Sequence, residues 1–506
     1  MSVLVQAAAT ACLVWSSFIY LVEAIGVTAI FKYFSGRPGP SVSAALGSKA
    51  PRVTIIRPVK GLEAELYSCL ASTFRQTYPR DRFSLHLCVD SRDDPSYPVL
   101  EKIVRDFPDI DARVLVETDD ERLNGTVEGA NIGPNPKVRN VSRAYREAQG
   151  DIIWMIDCNV WVGPGVLGRM VDKLMGFRHG GRSGTAYKFV HHLPLVADLA
   201  YLDTPGKTAD APTWSEYFTR LFSQAGGRLD DMFMSTTHAK FYGAINAVGI
   251  APCIVGKSNM FRKSHLDLAT DPARNPILPK EPLRPTGVDF FSCNICEDHL
   301  IGDILWRTKM PGFANHGTVW GDIPVQPIAN MSVKGYAGRR VRWLRARKWT
   351  VLAATLVEPG VESLLCCAYF SFAITTLPWF HDTVGIPQTW QATGISWLTT
   401  VTIWMLVDRM TSSQLHKGLA IEVDSNTPQF ARGTGRPGGM PHRAFFPWLL
   451  AWIGREVLAL PIWTTAVLLG RSVNWRGNEF LVRSDMTVEE IRSRKSAVGN
   501  HVNGRS

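Results

Sequence analysis

Residues 3–31, VLVQAAATACLVWSSFIYLVEAIGVTAIF, are an apolar run broken by one charge, Glu23. About 20 apolar residues cross the hydrocarbon core of a bilayer. In lipid the backbone must satisfy its own polar groups, which leaves a helix. The run therefore predicts a transmembrane anchor over residues 1–31. No basic segment precedes it, so it does not read as a cleaved signal peptide. Glu23 is costly there unless it faces protein. Lys32, Arg37, Lys49, Arg52, Arg57 and Lys60 follow, and nothing charged precedes. Positive residues stay on the cytosolic side, so the chain after the anchor is expected in the cytosol.

Further apolar runs lie near 351–379, 390–407 and 445–470, and define a C-terminal membrane region over 349–470. Glu358-Pro359 predicts an interfacial stretch before the first span. Arg455-Glu456 is awkward for a simple crossing. The tail 471–506, with Arg471, Arg476, Arg483, Arg492, Arg494 and Lys495, is basic and reads as cytosolic. Four full crossings would leave that tail on the other side. Residues 445–470 are therefore expected to lie in the interface or re-enter. Residues 409–444 read as a flexible cytosolic loop.

The formal net charge is +10 and the pI about 9.2. Such a surplus suits nucleic acid, an anionic membrane or an anionic small substrate. No nucleic-acid motif stands out and long apolar runs do, so membrane and anionic substrate are the expected partners. The nine cysteines are scattered, several within apolar runs. That is no disulfide framework. Cys293-x-x-Cys296 has no second pair, so zinc is not expected.

Between the membrane runs, residues 50–348 alternate strand and helix patterns, the signature of an α/β layer fold. RVTIIRPV, FSLHLCVD, DARVLVE and DIIWMID read as strands. AELYSCLASTFRQTY, PSYPVLEKIVRDF and KVRNVSRAYREAQG read as helices. Loops are expected at 117–136, 203–213, 226–231 and 270–289.

Ligands of open α/β sheets sit outside the carboxyl ends of the strands. Asp90, Asp93 and Asp94 lie at or past one such end, and Asp157 at another. Clustered carboxylates hold hard divalent cations, which in turn hold a diphosphate. SRDDP is equally a turn sequence. Glu297-Asp298 opens a helical pattern, where an acid pair either favours the helix dipole or supplies a general base. GRRVRWLRARKW, residues 338–349, carries Arg339, Arg340, Arg342, Arg345, Arg347 and Lys348 around Trp343. Guanidinium groups grip phosphate oxygens bidentately. Arg339, Arg342 and Trp343 fall on one helical face, whereas Arg345, Arg347 and Lys348 suit a membrane border.

RPVKGLEAELYSCLASTFRQTYP, LCVDSRDDP, NPKVRN, DIIWMIDCNVWVGPGVL, TTHAKFYGAINAVG, VGKSNMFRK, CEDHLIGDIL, RRVRW and RSVNWRGNEFLV, in this order, resemble the ceramide glucosyltransferases. These are membrane enzymes with a GT-A domain, the Rossmann-like nucleotide-diphospho-sugar transferase fold. The resemblance covers most of 50–350 and part of the tail. It implies a cytosolic GT-A catalytic domain over 50–348, between N-terminal and C-terminal transmembrane helices, in the Golgi or endoplasmic reticulum membrane. It implies inverting transfer of glucose from UDP-glucose to the primary hydroxyl of ceramide, the first step of glycosphingolipid synthesis. By position, Asp298 is implied as general base, with Glu297 beside it. Asp94, Asp157, Lys137, Arg339, Arg342 and Trp343 are implied for the donor, and His238 for the acceptor side. Asp94 and Asp157 would hold Mg2+ or Mn2+. The motif at Asp157 departs from the family, reading Asp-Cys-Asn instead of Asp-x-Asp. The rival readings are a processive polysaccharide synthase, which needs more spans for a channel, and an inactive membrane scaffold.

Overall fold

The computed structural model describes residues 2–123, 132–201, 223–280, 284–475 and 478–491. Its centre is a mixed seven-stranded sheet. β1 (Val53–Pro58) pairs in parallel with β2 (Phe83–Val89) and β4 (Ile152–Ile156), and β2 pairs in parallel with β3 (Asp111–Val116). β7 (Ser258–Arg262) runs antiparallel between β4 and β5 (Ala186–His191), and β8 (Phe313–Thr318) lies parallel to β5 at the edge. The order is β3-β2-β1-β4-β7-β5-β8. β6 (Leu195–Asp198) and β9 (Val325–Ile328) form a separate parallel pair.

Successive side chains of a strand point to opposite faces. Ile55, Trp154 and Ile156 enter one core layer, and Ile56, Ile153 and Met155 the other. Burial on both faces explains why these strands read as continuous apolar runs instead of alternating ones.

The N-terminal helix Val3–Tyr33 packs on the short helix Thr237–Val248. Gly26 lies so close to the Lys240 carbonyl that a Cβ there would collide with backbone. Glu23 pairs with the Lys240 ammonium, which also sits 2.6 Å from Asp408. The cost of the intramembrane acid is thus met by a protein cation.

Several sequence expectations change. The run 351–379 is two helices, Leu352–Val361 and Ser363–Thr376, bent by 72°. The break falls at Glu362, which bonds to Arg455 at 2.9 Å. The run at 390–407 is the start of a longer helix, Trp390–His416. Asp408 ends the apolar pattern, but its pairing with Lys240 lets the helix continue. The expected loop 409–444 is packed protein, not a free linker. Ala420, Ile421, Phe430 and Ala431 are buried against Trp161 and Leu193, and Glu422 accepts from the Gly165 amide at 2.9 Å. Residues 226–231 open the buried helix Gly226–Ser235, not a loop. The expected loop 203–213 and residues 124–131 lie outside the described residues.

Val3–Tyr33 and Phe445–Val467 are each long and apolar enough to cross a membrane, and the bent pair is a third candidate. Both ends of Phe445–Val467 nevertheless bond to the same body. Arg443 donates to Asp231 at 2.6 Å. At the other end, Arg345 donates to the carbonyls of Thr465 at 3.0 Å and Ala466 at 3.4 Å, and Lys348 to that of Val467 at 2.8 Å. Phe446, Leu450, Ile453, Val457 and Leu460 form an exposed stripe at helical spacing.

The tail is also folded. β10 (Ser472–Trp475), β11 (Asn478–Val482) and β12 (Val488–Glu490) make an antiparallel sheet. Arg476, Arg492, Arg494 and Lys495 fall outside the described residues.

Candidate active site

Asp157 directly follows β4, and its amide donates to the Lys257 carbonyl at 3.1 Å, just before β7. This backbone link brings the Lys257 ammonium to 2.9 Å from Asp157 Oδ2. From the other side comes Lys137, in the first turn of the helix Pro136–Arg146. Asn135 caps that helix, accepting from the amides of Lys137 at 2.8 Å and Val138 at 3.0 Å. The Lys137 ammonium lies 3.3 Å from Asp157, 3.1 Å from Glu297 and 2.8 Å from Asp298.

Glu297 and Asp298 open the helix Glu297–Arg307, yet no side chain caps it. Both carboxylates turn to Lys137, at 3.1 and 2.8 Å, from the first turn of the helix. Asn135 ties the same segment down, donating to Glu297 at 3.1 Å and to the Asn294 carbonyl. Gly256 leaves room for Asp298, since a Cβ there would overlap the carboxylate.

Three carboxylates share two ammonium groups, so one acid carries the excess. Burial pushes the Asp298 carboxyl up to about 7. Lys137 pulls it down, while the Glu297 and Asp157 charges add to the rise. Burial also opposes ionisation of Asp157, but Lys137 and Lys257 outweigh it and hold that carboxyl well below its ordinary range. The environment thus separates a permanent anion from an acid that titrates near neutrality.

Asp94 has a different surrounding. Its oxygens accept from the Gly61 amide at 3.0 and 3.1 Å, the Ser96 amide at 2.9 Å and the Ser96 hydroxyl at 2.6 Å. Burial would raise the Asp94 carboxyl, but those bonds and Lys60 lower it overall. With its side chain fully enclosed, Asp94 pins the Lys60–Gly61 turn and offers no free oxygen to a cation. Lys60 also pairs with Asp90. Among the described residues, no three His, Cys, Asp or Glu side chains are placed together to hold a metal ion.

The arginine cluster lies on the helix Val333–Arg347. Arg339 stacks on Trp343, 4.6 Å from its ring centre, and donates to Gln326 at 3.2 Å. Arg342 lies half-buried on the same helix. The expected membrane-border trio divides differently. Arg345 and Lys348 hold the last carbonyls of Phe445–Val467, where the helix dipole favours cations. Arg347 joins Arg340 on Glu358. Its charge is felt where the helix Glu297–Arg307 begins: burial raises the Cys296 thiol and lowers His299, and Arg347 lowers both. His238 is half-buried beside Phe233 and Tyr242, with ring centres 5.7 Å away. Burial pushes its imidazole down to about 3, with Arg340 and Arg347 adding to the effect.

Sequence reasoning missed Lys257, Asn135 and Gly256. Lys257 stands in VGKSNMFRK and Asn135 in NPKVRN, two of the stretches that carry the resemblance, but neither residue type announces a role by itself.

The mixed α/β sheet, with acids and lysines at its strand ends and helices apolar enough to cross a membrane, fits a membrane-associated glycosyltransferase. The chain matches glycosyl transferase family 21 over residues 14–199 and 277–488, and it belongs to that family. It is 53% identical to a ceramide glucosyltransferase of Gibberella zeae, covering 97% of this chain and 95% of the relative. It is 54% identical to that of Pyricularia oryzae, covering 97% and 96%. Identity to the Komagataella phaffii enzyme is 34%, covering 96% and 92%.

Proposed function

We propose that this chain transfers glucose from UDP-glucose to the primary hydroxyl of ceramide, inverting the anomeric configuration and giving glucosylceramide. The observation that carries the reading is Asp298, a largely buried carboxyl raised to about 7 and lying 2.8 Å from the Lys137 ammonium, in a chain 53% identical to a ceramide glucosyltransferase along nearly its whole length. A base works best with a pKa near the working pH. Asp298 takes the hydroxyl proton as the ceramide oxygen attacks the anomeric carbon. The bond from that carbon to UDP breaks on the opposite face, and UDP leaves with the electron pair. One displacement inverts the centre, and no second nucleophile is needed.

Charge grows on the leaving diphosphate, and fixed cations stabilise it without reorganisation. Lys137 and Lys257 are the nearest cations to the acids, and Arg339, Arg342 and Trp343 are assigned to the donor with them. His238 is assigned to the acceptor side. Asp157 is the residue that would hold a divalent cation, Mg2+ or Mn2+, whose charge would help hold the diphosphate. Mg2+ commonly takes one or two carboxylates together with substrate phosphates. Both Asp157 oxygens already face lysine ammonium groups, Oδ1 at 3.3 Å and Oδ2 at 2.9 Å, so a cation arriving with the donor would have to displace a lysine there.

The reading places the enzyme in a Golgi or endoplasmic reticulum membrane, with the catalytic domain in the cytosol. Asn330 reports on that side. It sits in the exposed sequon NMS, and no glycosidase-sensitive mass shift is expected there. Asn140, in NVS, is buried and bonds to the Val59 and Cys88 carbonyls at 3.2 and 3.1 Å, so it is closed to modification on either side.

The test is product analysis of the purified protein with labelled UDP-glucose and ceramide. Labelled glucosylceramide of inverted configuration is expected. A polymeric product would favour the polysaccharide synthase reading, and no product the scaffold.

A further inference from the structure

A cavity of about 530 Å3 opens at the carboxyl ends of the first three strands. Lys60 and Asp90 line it from the ends of β1 and β2, and Glu117 from beyond β3. Pro136 and Arg139 line it from the start of the next helix. Ile132, Gly133 and Pro134 line it just before that helix, and two further residues come from the far end of the chain, Asn478 of β11 and Glu490 of β12. We infer that the C-terminal sheet is a working wall of the donor site, and that Asn478 and Glu490 hold the nucleoside half of the nucleotide sugar. The inference rests on the proposed use of UDP-glucose.

The sheet order supplies the position. Asp157 directly follows β4, and the cavity spans the ends of β1, β2 and β3 on one side of it. Neighbouring strands lie about 4.8 Å apart. With the sugar at the Asp298 cluster, the diphosphate runs across β1 and the nucleoside reaches the cavity. A volume in this range suits a small ligand; such pockets are about 300–1,000 Å3. The sign of Glu490 then matters. A carboxylate would repel phosphate, but it accepts bonds from ribose hydroxyls or an imide N–H. Asn478 can donate and accept.

The wall is also fastened to the base segment. The Val488 amide donates to the Cys293 carbonyl at 2.8 Å. Asn294 donates to the Met486 carbonyl at 2.9 Å, and its own carbonyl accepts from Asn135. Ile295 packs with Val473, Phe480, Val482 and Val488. Arg345 donates to the Ser472 carbonyl at 2.5 Å, joining the sheet to the arginine helix. One small sheet therefore touches the donor cavity, the segment leading to Asp298 and the membrane-side helices.

The test uses the full-length protein in membranes or detergent. Asn478 and Glu490 are exposed strand residues, so Asn478→Ala with Glu490→Ala is expected to fold, and a thermal melt checks this. UDP binding is measured by calorimetry, and KM for UDP-glucose and for ceramide by turnover. The double variant is expected to weaken UDP binding and raise the UDP-glucose KM by about tenfold, in keeping with lost hydrogen bonds to the ligand. The ceramide KM should stay within about twofold, because that substrate does not meet the wall. Unchanged UDP affinity in a folded variant overturns the inference. The wild-type protein is first titrated with UDP, GDP and CDP. Preference for another nucleotide overturns the donor reading, and the variant is then measured with the preferred one. Should the double variant melt early, Glu490→Gln replaces it, keeping the shape of the wall and removing its charge. It is expected to weaken binding of the same nucleotide, and no change overturns the inference.

Discussion

Two buried groups of charges divide this molecule between them. In the catalytic sheet, Lys137 and Lys257 meet Asp157, Glu297 and Asp298. At the membrane side, Lys240 meets Glu23 and Asp408, while Arg455 meets Glu362, Glu456 and Asp408. The chemistry is alike, but the access is not. Asp157 and Asp298 keep 24% and 22% of their side chains exposed, whereas Lys240 and Asp408 keep 0%. The first group can exchange protons and meet a ligand. The second joins Val3–Tyr33, Thr237–Val248, Trp390–His416 and Phe445–Val467, segments far apart in the chain. Its charges serve assembly. A buried ion pair is a poor source of net stability, yet breaking one leaves an uncompensated charge.

The sharpest way to separate the groups is to remove one function from each. Asp298→Asn should cut turnover by about 10²–10⁴-fold, the usual worth of a general base. UDP affinity and the thermal melt should change little. Near-normal turnover of the purified variant would remove Asp298 from the role of base. Lys240→Met should do the reverse. It removes the cation of Glu23 and leaves Asp408 with Arg455, and loses about 3–5 kcal/mol of stability, read as a lower melting temperature in detergent. The protein that remains folded should keep its UDP-glucose KM. A stable but inactive Lys240→Met would break the comparison, since it would put the membrane-side group in the reaction.

A smaller effect tests the acid itself. Asp298 is protonated below about pH 7 and ionised above it. Only the ionised form accepts a proton, so kcat/KM should rise with pH through about 7 and then level. The rising limb should be absent from the residual activity of Asp298→Asn. A limb near pH 4 would mean that Lys137 holds Asp298 as a permanent anion, like Asp157.

The smallest effect concerns the arginine helix. Arg345→Ala removes a cation from the last carbonyls of Phe445–Val467, worth about 1–2 kcal/mol in a partly buried position. A modest drop in melting temperature with unchanged kcat is expected. A large kcat loss instead would join Arg345 to the donor site.

Much of this arrangement is local and can be read along the chain. Apolar runs one strand long, separated by helical spacing, specify the α/β sheet, because burial on both faces leaves no other pattern. Asp157 announces itself as an acid ending an apolar strand, and Lys137 and Asp298 stand in recognisable stretches. Residues 3–31 are legible as a helix because lipid permits little else. The tertiary structure decided what depends on distant partners. Lys257 matters only because β7 lies beside β4. Trp390–His416 outruns its apolar window because Asp408 finds Lys240. Arg345 and Lys348 look like membrane-border charges until the end of Phe445–Val467 arrives beneath them. The tail reads as a basic extension, since strands of three to five residues specify little alone. It becomes a sheet where Ile295 and the Cys293 carbonyl give it an apolar face and a hydrogen-bonding edge to complete. Hydrophobic periodicity is written in neighbouring residues, whereas charge pairing and edge pairing are settled only when remote segments meet.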